Sequence, residues 1–172
     1  YLEGEEAAGY LIDMIFAQTY ASESRKQMAE AVARVLDTIP TDEVEAIHNY
    51  LDFDDGVIRK GACRAHEGER IVIPLNMAEG TIIARGDGNP EWNRSAPHGA
   101  GRMMSRTEAF DTLDVEDFQA SMDGVYSSVI NEKTLDESPQ AYKDAEQIRE
   151  AITPTAELVD HLDPVLSIKA EE

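Results

Sequence analysis

Apolar positions in the first forty residues recur at helical spacing: Tyr10, Met14, Ala17 and Ala21, then Met28, Val32, Val35 and Ile39. They predict a packing helix over 1–40 that breaks or bends at Ser22 and Ser24 and stops at Pro40. Thr41 and Asp42 are placed to cap a short turn after it. From residue 47 the pattern changes to short strands, predicted at 47–53, 57–65, 70–74 and 81–85. Asp54-Asp55-Gly56, Glu67-Gly68-Glu69 and Glu79-Gly80 supply the turns between them. A stretch without regular period follows from 86 to 101, and loops of that length inside a compact domain are a common seat of function. Helical patterning returns at 108–113, 115–122, 140–152 and 156–162, and a strand-like 165–169 ends the pattern. The fold class expected is α+β, with a mostly antiparallel central sheet flanked by helices, in one domain spanning 1–172.

Length and charge sharpen this picture. A chain of 172 residues is long enough to bury a real core. The longest apolar stretch, at 7–17, is interrupted by Asp13 and too short to cross a bilayer, so the expectation is a soluble, cytoplasmic protein with no membrane partner. The net charge is −20, a sign that repels nucleic acid if spread evenly. It is not spread evenly. Between positions 59 and 106 eight basic residues face five acidic ones, so a basic band able to hold phosphate lies inside an acidic chain. The single cysteine, Cys63, excludes an internal disulfide framework and a four-thiolate zinc site. Beside Arg64 it reads as a lowered-pKa thiol or, preferably, as a small buried filler on a strand.

The histidines are His48, His66, His98 and His161. His66 falls in a turn and His161 in an acidic helical segment, both structural settings; His48 opens a predicted strand. His98 differs, because it stands in Ser95-Ala96-Pro97-His98-Gly99-Ala100-Gly101-Arg102. Small residues after it let backbone N–H groups approach an anion closely, and Arg102 adds a rigid fork of donors. A neutral imidazole so placed is a competent nucleophile toward phosphorus. A glycine-rich turn around a structural histidine fits the residues equally well. There is no G-x-x-x-x-G-K-[ST] loop, no completed G-x-G-x-x-G and no G-x-S-x-G elbow.

Several blocks together carry a resemblance. His48-Asn49, Arg59-Lys60-Gly61-Ala62, Ile73-Pro74, Arg85-Gly86-Asp87-Gly88-Asn89-Pro90 and His98-Gly99-Ala100-Gly101-Arg102 with Met104-Ser105-Arg106 resemble, in order and spacing, the RtcB family of RNA-splicing ligases. Asp136-Glu137-Ser138-Pro139, Ala141-Tyr142-Lys143 and Ile168-Lys169 extend the match toward the C-terminus, and Tyr20-Ala21 with Arg25 toward the N-terminus. The resemblance implies a GTP- and manganese-dependent enzyme that joins RNA 2′,3′-cyclic phosphate or 3′-phosphate ends to 5′-hydroxyl ends, in tRNA splicing or RNA repair. It implies His98 as the nucleophile that carries GMP, and His48 as a manganese ligand. It implies nucleotide contacts from His48, Asn49, Pro74, Leu75, Asn76, Met77, Thr81, His98, Gly99, Ala100 and Gly101, with Tyr142 against the guanine face and Lys169 at its edge. Arg102 and Arg106 are our own candidates for the RNA 3′-phosphate.

The chain departs from the family in places. The usual glycine-serine-methionine-glycine after Ile-Pro is Leu75-Asn76-Met77-Ala78, the following serine is Thr81, and Ser24 replaces an asparagine, which marks a divergent branch. The family's remaining manganese ligands (an aspartate, a cysteine and two histidines) come from a preceding segment. The expectation is therefore the C-terminal part of such a ligase, inactive in isolation and partnered by the N-terminal remainder in cis or in trans. The alternative is a nucleotide- or RNA-binding homologue without activity.

Overall fold

The computed structural model describes residues 1–169. The chain divides into two compact units, Tyr1–Val44 with Asn49–Lys60, and Glu45–His48 with the chain from Gly61 onward. The architecture is α+β, as the patterning predicts, with three small antiparallel sheets in place of one central sheet.

The first unit contains α1 (Gly4–Val35), β1 (Asn49–Asp52) and β2 (Val57–Lys60). Helix α1 runs unbroken through Ser22 and Ser24. Two serines cost a helix only about 0.5 kcal/mol each against alanine, too little to break 32 residues of mostly good helix formers. It stops before Ile39 and Pro40. The Thr38 N–H bonds the Ala33 carbonyl and the Asp37 N–H the Arg34 carbonyl, with Asp37 left-handed at φ 49°, so a double-bonded turn ends the helix before proline must. The expected packing face is only partly realised. Met14 and Ala21 are half-buried, but Tyr10, Ala17, Met28, Val32 and Val35 are exposed and no α1 residue is fully buried. The half-buried line instead runs through Ala7, Met14, Gln18 and Ala21. Gln18 explains why a polar residue belongs there: its amide donates to the Leu51 carbonyl at 3.2 Å and accepts from the Leu51 N–H at 2.7 Å, standing in for a neighbouring strand along β1. Strands β1 and β2 pair in register from Asn49↔Lys60 to Asp52↔Val57 around the predicted Asp54-Asp55-Gly56 turn.

The second unit contains β3 (Ala62–Arg64), β4 (Arg70–Pro74), β5 (Thr81–Gly86), β6 (Ser95–Pro97), α2 (Arg106–Thr112), α3 (Val115–Ser121), α4 (Ala145–Ile152) and β7 (Ala156–Leu162). Strands β4, β5 and β7 form one sheet in that order, and β3 pairs with β6. Alternation puts Ile71 and Ile73 of β4 and Ile82 and Ala84 of β5 inward. Helix α4, capped by the Asp144 carboxylate on two backbone N–H groups, lays Ala145, Ile148 and Ile152 in the same core. A second core gathers Met77, Phe118, Met122, Val129 and Leu135.

Four predicted elements are corrected. The span 57–65 is two strands, because Gly61 at φ 71° ends β2 and redirects the chain into a new pairing with β6. That partner, Ser95–Pro97, lies in the stretch read as a loop. The helix expected at 140–152 begins at Ala145, after a single 3-10 turn at Pro139–Ala141. Residues 156–162 form a strand, paired from Thr81↔Leu162 to Gly86↔Ala156 with a bulge between Ile83 and Ala84. The open edge of β5 decides this, since a seven-residue segment with Leu, Val and His carries little intrinsic preference against such a template. At 165–169 only one bridge forms, Tyr126↔Leu166. No helix among the described residues is long and apolar enough to cross a membrane.

Candidate active site

His98 directly follows β6. The Ala62↔Pro97 pairing at the end of the β3–β6 ladder brings it beside Gly61, whose carbonyl lies 2.7 Å from His98 Nδ1. A carbonyl only accepts, so Nδ1 carries the proton. In the neutral ring that leaves the lone pair on Nε2. The His48 ring stacks on His98 with centroids 4.3 Å apart and planes 16° from parallel, and the Gly61 N–H donates to the His48 carbonyl at 2.8 Å. Gly61 thus organises both histidines. A Cβ there would lie 3.7 Å from the His98 ring, and the positive φ excludes most side chains in any case.

The loop after His98 is pinned on two sides. The Ala100 N–H donates to the Pro74 carbonyl at 3.1 Å, and Gly99 passes so close that a Cβ would meet that oxygen at 3.1 Å. On the other side the Met103 and Lys143 N–H groups bond Ala141 and Gly101 carbonyls, and Arg102 bridges to Tyr142. The Lys143 ammonium is drawn over Gly101, 3.9 Å from where its Cβ would stand. Cys63, buried behind β6, directs its thiol at the Ala96 and Pro97 carbonyls at 3.6 Å; this is the filler role, not that of an accessible nucleophile.

Arg102 is held almost entirely by neutral groups. Its Nη2 donates to the Asp136 carbonyl at 2.6 Å, its Nε to the Met104 carbonyl at 3.3 Å and its Nη1 to the Tyr142 hydroxyl at 3.4 Å, and its plane lies 5.1 Å from the centre of the Tyr142 ring. Tyr142 donates to Glu137 Oε2 at 3.0 Å, and Lys169 reaches the same oxygen at 2.9 Å. Burial pushes the Glu137 carboxyl upward, but the Lys169 ammonium, the Tyr142 hydroxyl and Arg102 outweigh it and hold it below the ordinary glutamate value. Burial and the Glu137 charge push the Tyr142 phenol up. Arg106, at the start of α2 behind a Ser105–Glu108 capping box, is exposed and pairs with Asp136 Oδ2 at 3.5 Å.

The structure therefore brings His48 to His98, Pro74 to Gly99 and Ala100, and Arg102, Arg106, Tyr142 and Lys169 around the 136–137 segment. Other residues singled out in the sequence are placed differently. Leu75 and Met77 are buried, one in each core, so their side chains are committed to packing. The Asn76 side chain is taken up by its own turn, accepting from the Ala78 and Glu79 N–H groups and donating to Glu79 Oε2 at 2.5 Å. Thr81 pairs with Pro74 on one side and Leu162 on the other. Asn49 opens β1 opposite Lys60 in the first unit. Among the described residues no group of three or more His, Cys, Asp or Glu side chains could hold a metal ion. His48 offers one imidazole where such an ion needs several ligands, so the residues present do not by themselves fit manganese. Glu137 and the Gly61 carbonyl are the parts of the site that sequence reasoning passed over. Both stand inside blocks of the resemblance, which was their only signal.

Comparison with known proteins gives the chain's family. The family model described as tRNA-splicing ligase RtcB matches residues 1–170. The RNA-splicing ligase RtcB of Escherichia coli K12 is 33% identical over 98% of this chain and 46% of its own length. That of Mycobacterium tuberculosis H37Rv is 29% identical over 85% of this chain and 41% of its own. The tRNA-splicing ligase RtcB of Aeropyrum pernix is 34% identical over 52% of this chain and 22% of its own. The chain spans about half the length of the first of these relatives. A family model that covers residues 1–170 and a relative 33% identical over 98% of the chain lead to one conclusion: the chain belongs to the RtcB family of RNA ligases.

Proposed function

We propose that this chain is the nucleophile-bearing portion of a cytoplasmic RNA ligase that joins 3′-phosphate or 2′,3′-cyclic phosphate ends to 5′-hydroxyl ends at the expense of GTP. The observation that carries the reading is the 2.7 Å contact between His98 Nδ1 and the Gly61 carbonyl. With Nδ1 committed as donor, Nε2 presents its lone pair in a fixed direction. Attack of Nε2 on the α-phosphorus of GTP forms a P–N bond and breaks the bond to the β-phosphate oxygen, releasing pyrophosphate. A cyclic phosphate end first takes up water, which breaks the bond to its 2′-oxygen and leaves a 3′-phosphate; an oxygen of the 3′-phosphate then displaces His98, and the 5′-hydroxyl displaces GMP to close the phosphodiester. The Gly61 carbonyl supports the imidazolium character that Nε2 attack creates, since Nδ1–H then donates from a cationic ring.

Gly99, Ala100 and Gly101 supply backbone close to the nucleotide, and Arg102, whose hydrogen-bond acceptors are two carbonyls and a phenol, is assigned to the RNA 3′-phosphate. Arg106 is its more exposed companion. Tyr142 and Lys169 are assigned to the guanine, and Asn49, Pro74, Thr81 and the backbone of 75–77 to the nucleotide around it. His48 is assigned as one imidazole toward manganese. The other ligands lie outside the described residues, so no step is derived through the metal.

The test is transfer of label from α-labelled GTP, with manganese, to acid-labile protein. The polypeptide at its relatives' full length is expected to take label, and His98→Ala to take none while its urea midpoint stays put. The 172-residue chain alone is expected to take none. Label in His98→Ala, or a full-length wild type that binds RNA ends without labelling, defeats the proposal; the latter outcome favours a binding homologue.

A further inference from the structure

Glu137 closes the 3-10 segment Glu132–Glu137, and its side chain is only 18% exposed. One oxygen, Oε2, accepts from both the Tyr142 hydroxyl and the Lys169 ammonium, two groups that come from separate stretches of chain. Lys169 stands at the end of a segment joined to Tyr126 by two backbone bonds, the Tyr126 N–H to the Val165 carbonyl at 3.1 Å and the Ser167 N–H to the Tyr126 carbonyl at 2.9 Å. Its side chain is 41% exposed on a flexible four-carbon stem, so without a fixed anion it would sample many rotamers. Tyr142 is bound at both ends of its polarity. Its hydroxyl donates to Glu137 and accepts from Arg102, while Arg102 covers its ring. The result is a continuous chain of contacts, Lys169–Glu137–Tyr142–Arg102, with the carboxylate at its centre.

We propose that Glu137 is a positioning residue for nucleotide binding: it fixes the Lys169 ammonium and the Tyr142 ring as one base-recognising unit and, through Tyr142, couples that unit to Arg102. This inference rests on the ligase reading, under which Tyr142 and Lys169 meet the guanine. An ammonium has three donors and Glu137 engages one, which leaves donors for the acceptor edge of a base. Glu137 itself need not touch the nucleotide. Its work is to remove in advance the rotamer freedom that Lys169 would otherwise lose on binding, so its effect belongs to affinity and not to the chemical step.

The experiment measures GTP-dependent labelling of His98 in the full-length polypeptide. Glu137→Gln keeps the shape and an oxygen for the Tyr142 hydroxyl but drops the charge. It is expected to raise KM for GTP about tenfold and leave kcat within about twofold. Lys169→Ala is expected to do the same, and the double variant to add little to either, because the two act as a pair. Tyr142→Phe, which removes only the hydroxyl, serves if Glu137→Gln does not fold, with an expected rise of about threefold. A spectroscopic arm reads the contact directly: the Tyr142 phenol, by difference from Tyr142→Phe, titrates lower in Glu137→Gln than in wild type. Unchanged KM, a loss confined to kcat, independent effects of Glu137→Gln and Lys169→Ala, or an unmoved phenol overturns the inference. A wild type that takes no label overturns the ligase reading instead.

Discussion

Two arginines show how differently one side chain is used. Arg59 of β2 is buried, pairs with Asp52 and with Asp55 at 2.5 Å, and lies over the Tyr50 ring at 5.7 Å. Its charge is fully answered within the hairpin. Arg102 makes three hydrogen bonds, yet its acceptors are two carbonyls and a phenol. Neutral acceptors orient a guanidinium without pairing its charge, and the Glu137 carboxylate offsets only part of it across Tyr142, so Arg102 keeps more attraction for an anion than Arg59 does. The number of hydrogen bonds on a cation says little about its purpose; the formal charge of the acceptors says much more.

The contrast can be broken by substitution. Arg59→Ala should cost stability most, about 3 kcal/mol or more by urea unfolding, because two carboxylates are left without their cation. Arg102→Ala should cost about 1 kcal/mol of stability, since its lost partners are neutral. In the proposed ligase it should slow joining of 3′-phosphate RNA by about tenfold to a hundredfold while His98 still takes label. Equal stability losses for the two arginines would erase the distinction. The smallest effect is expected from pH. Burial pushes the Asp52 carboxyl up, but the Asp55 and Asp54 N–H groups, the Tyr50 hydroxyl and Arg59 hold it below the ordinary aspartate value. A depressed folded value means that the unfolded chain binds the proton more readily. Asp52 therefore contributes its full stability above the ordinary aspartate range and loses it as pH falls through the depressed value. Urea midpoints measured downward from pH 6 should fall for wild type, and fall less for Asp52→Asn.

Much of the site was legible in sequence, for reasons that differ by residue. His98 stood out because a proline before it and small residues after it suit an imidazole that meets a phosphate; a glycine-rich turn around a structural histidine fits those residues equally well, and the family blocks around it tip the balance. Arg102 and Arg106 looked alike as basic residues near it. Only the acceptors, set by the return of the chain at 136–142, separate them. Glu137 was hidden because a carboxylate in an acidic chain carries no signal until its partners are known. In the fold, strands with clear alternation such as β4 and β5 were readable. The misread helix at 156–162 was decided by an unpaired edge more than seventy residues earlier in the chain, and Ser95–Pro97 became a strand because β3 needed a partner. The face of α1 was misjudged because Gln18, which reads as a surface residue, is the one that completes β1.

The Cys63 residue of β3 is sealed at 1% exposure, its thiol against the Ala96 and Pro97 carbonyls of the paired strand that leads into His98. A disulfide reagent can reach it only when that ladder parts. Its modification rate is thus a clock for how often the nucleophile's mount comes undone, read from a sulfur that takes no part in the chemistry.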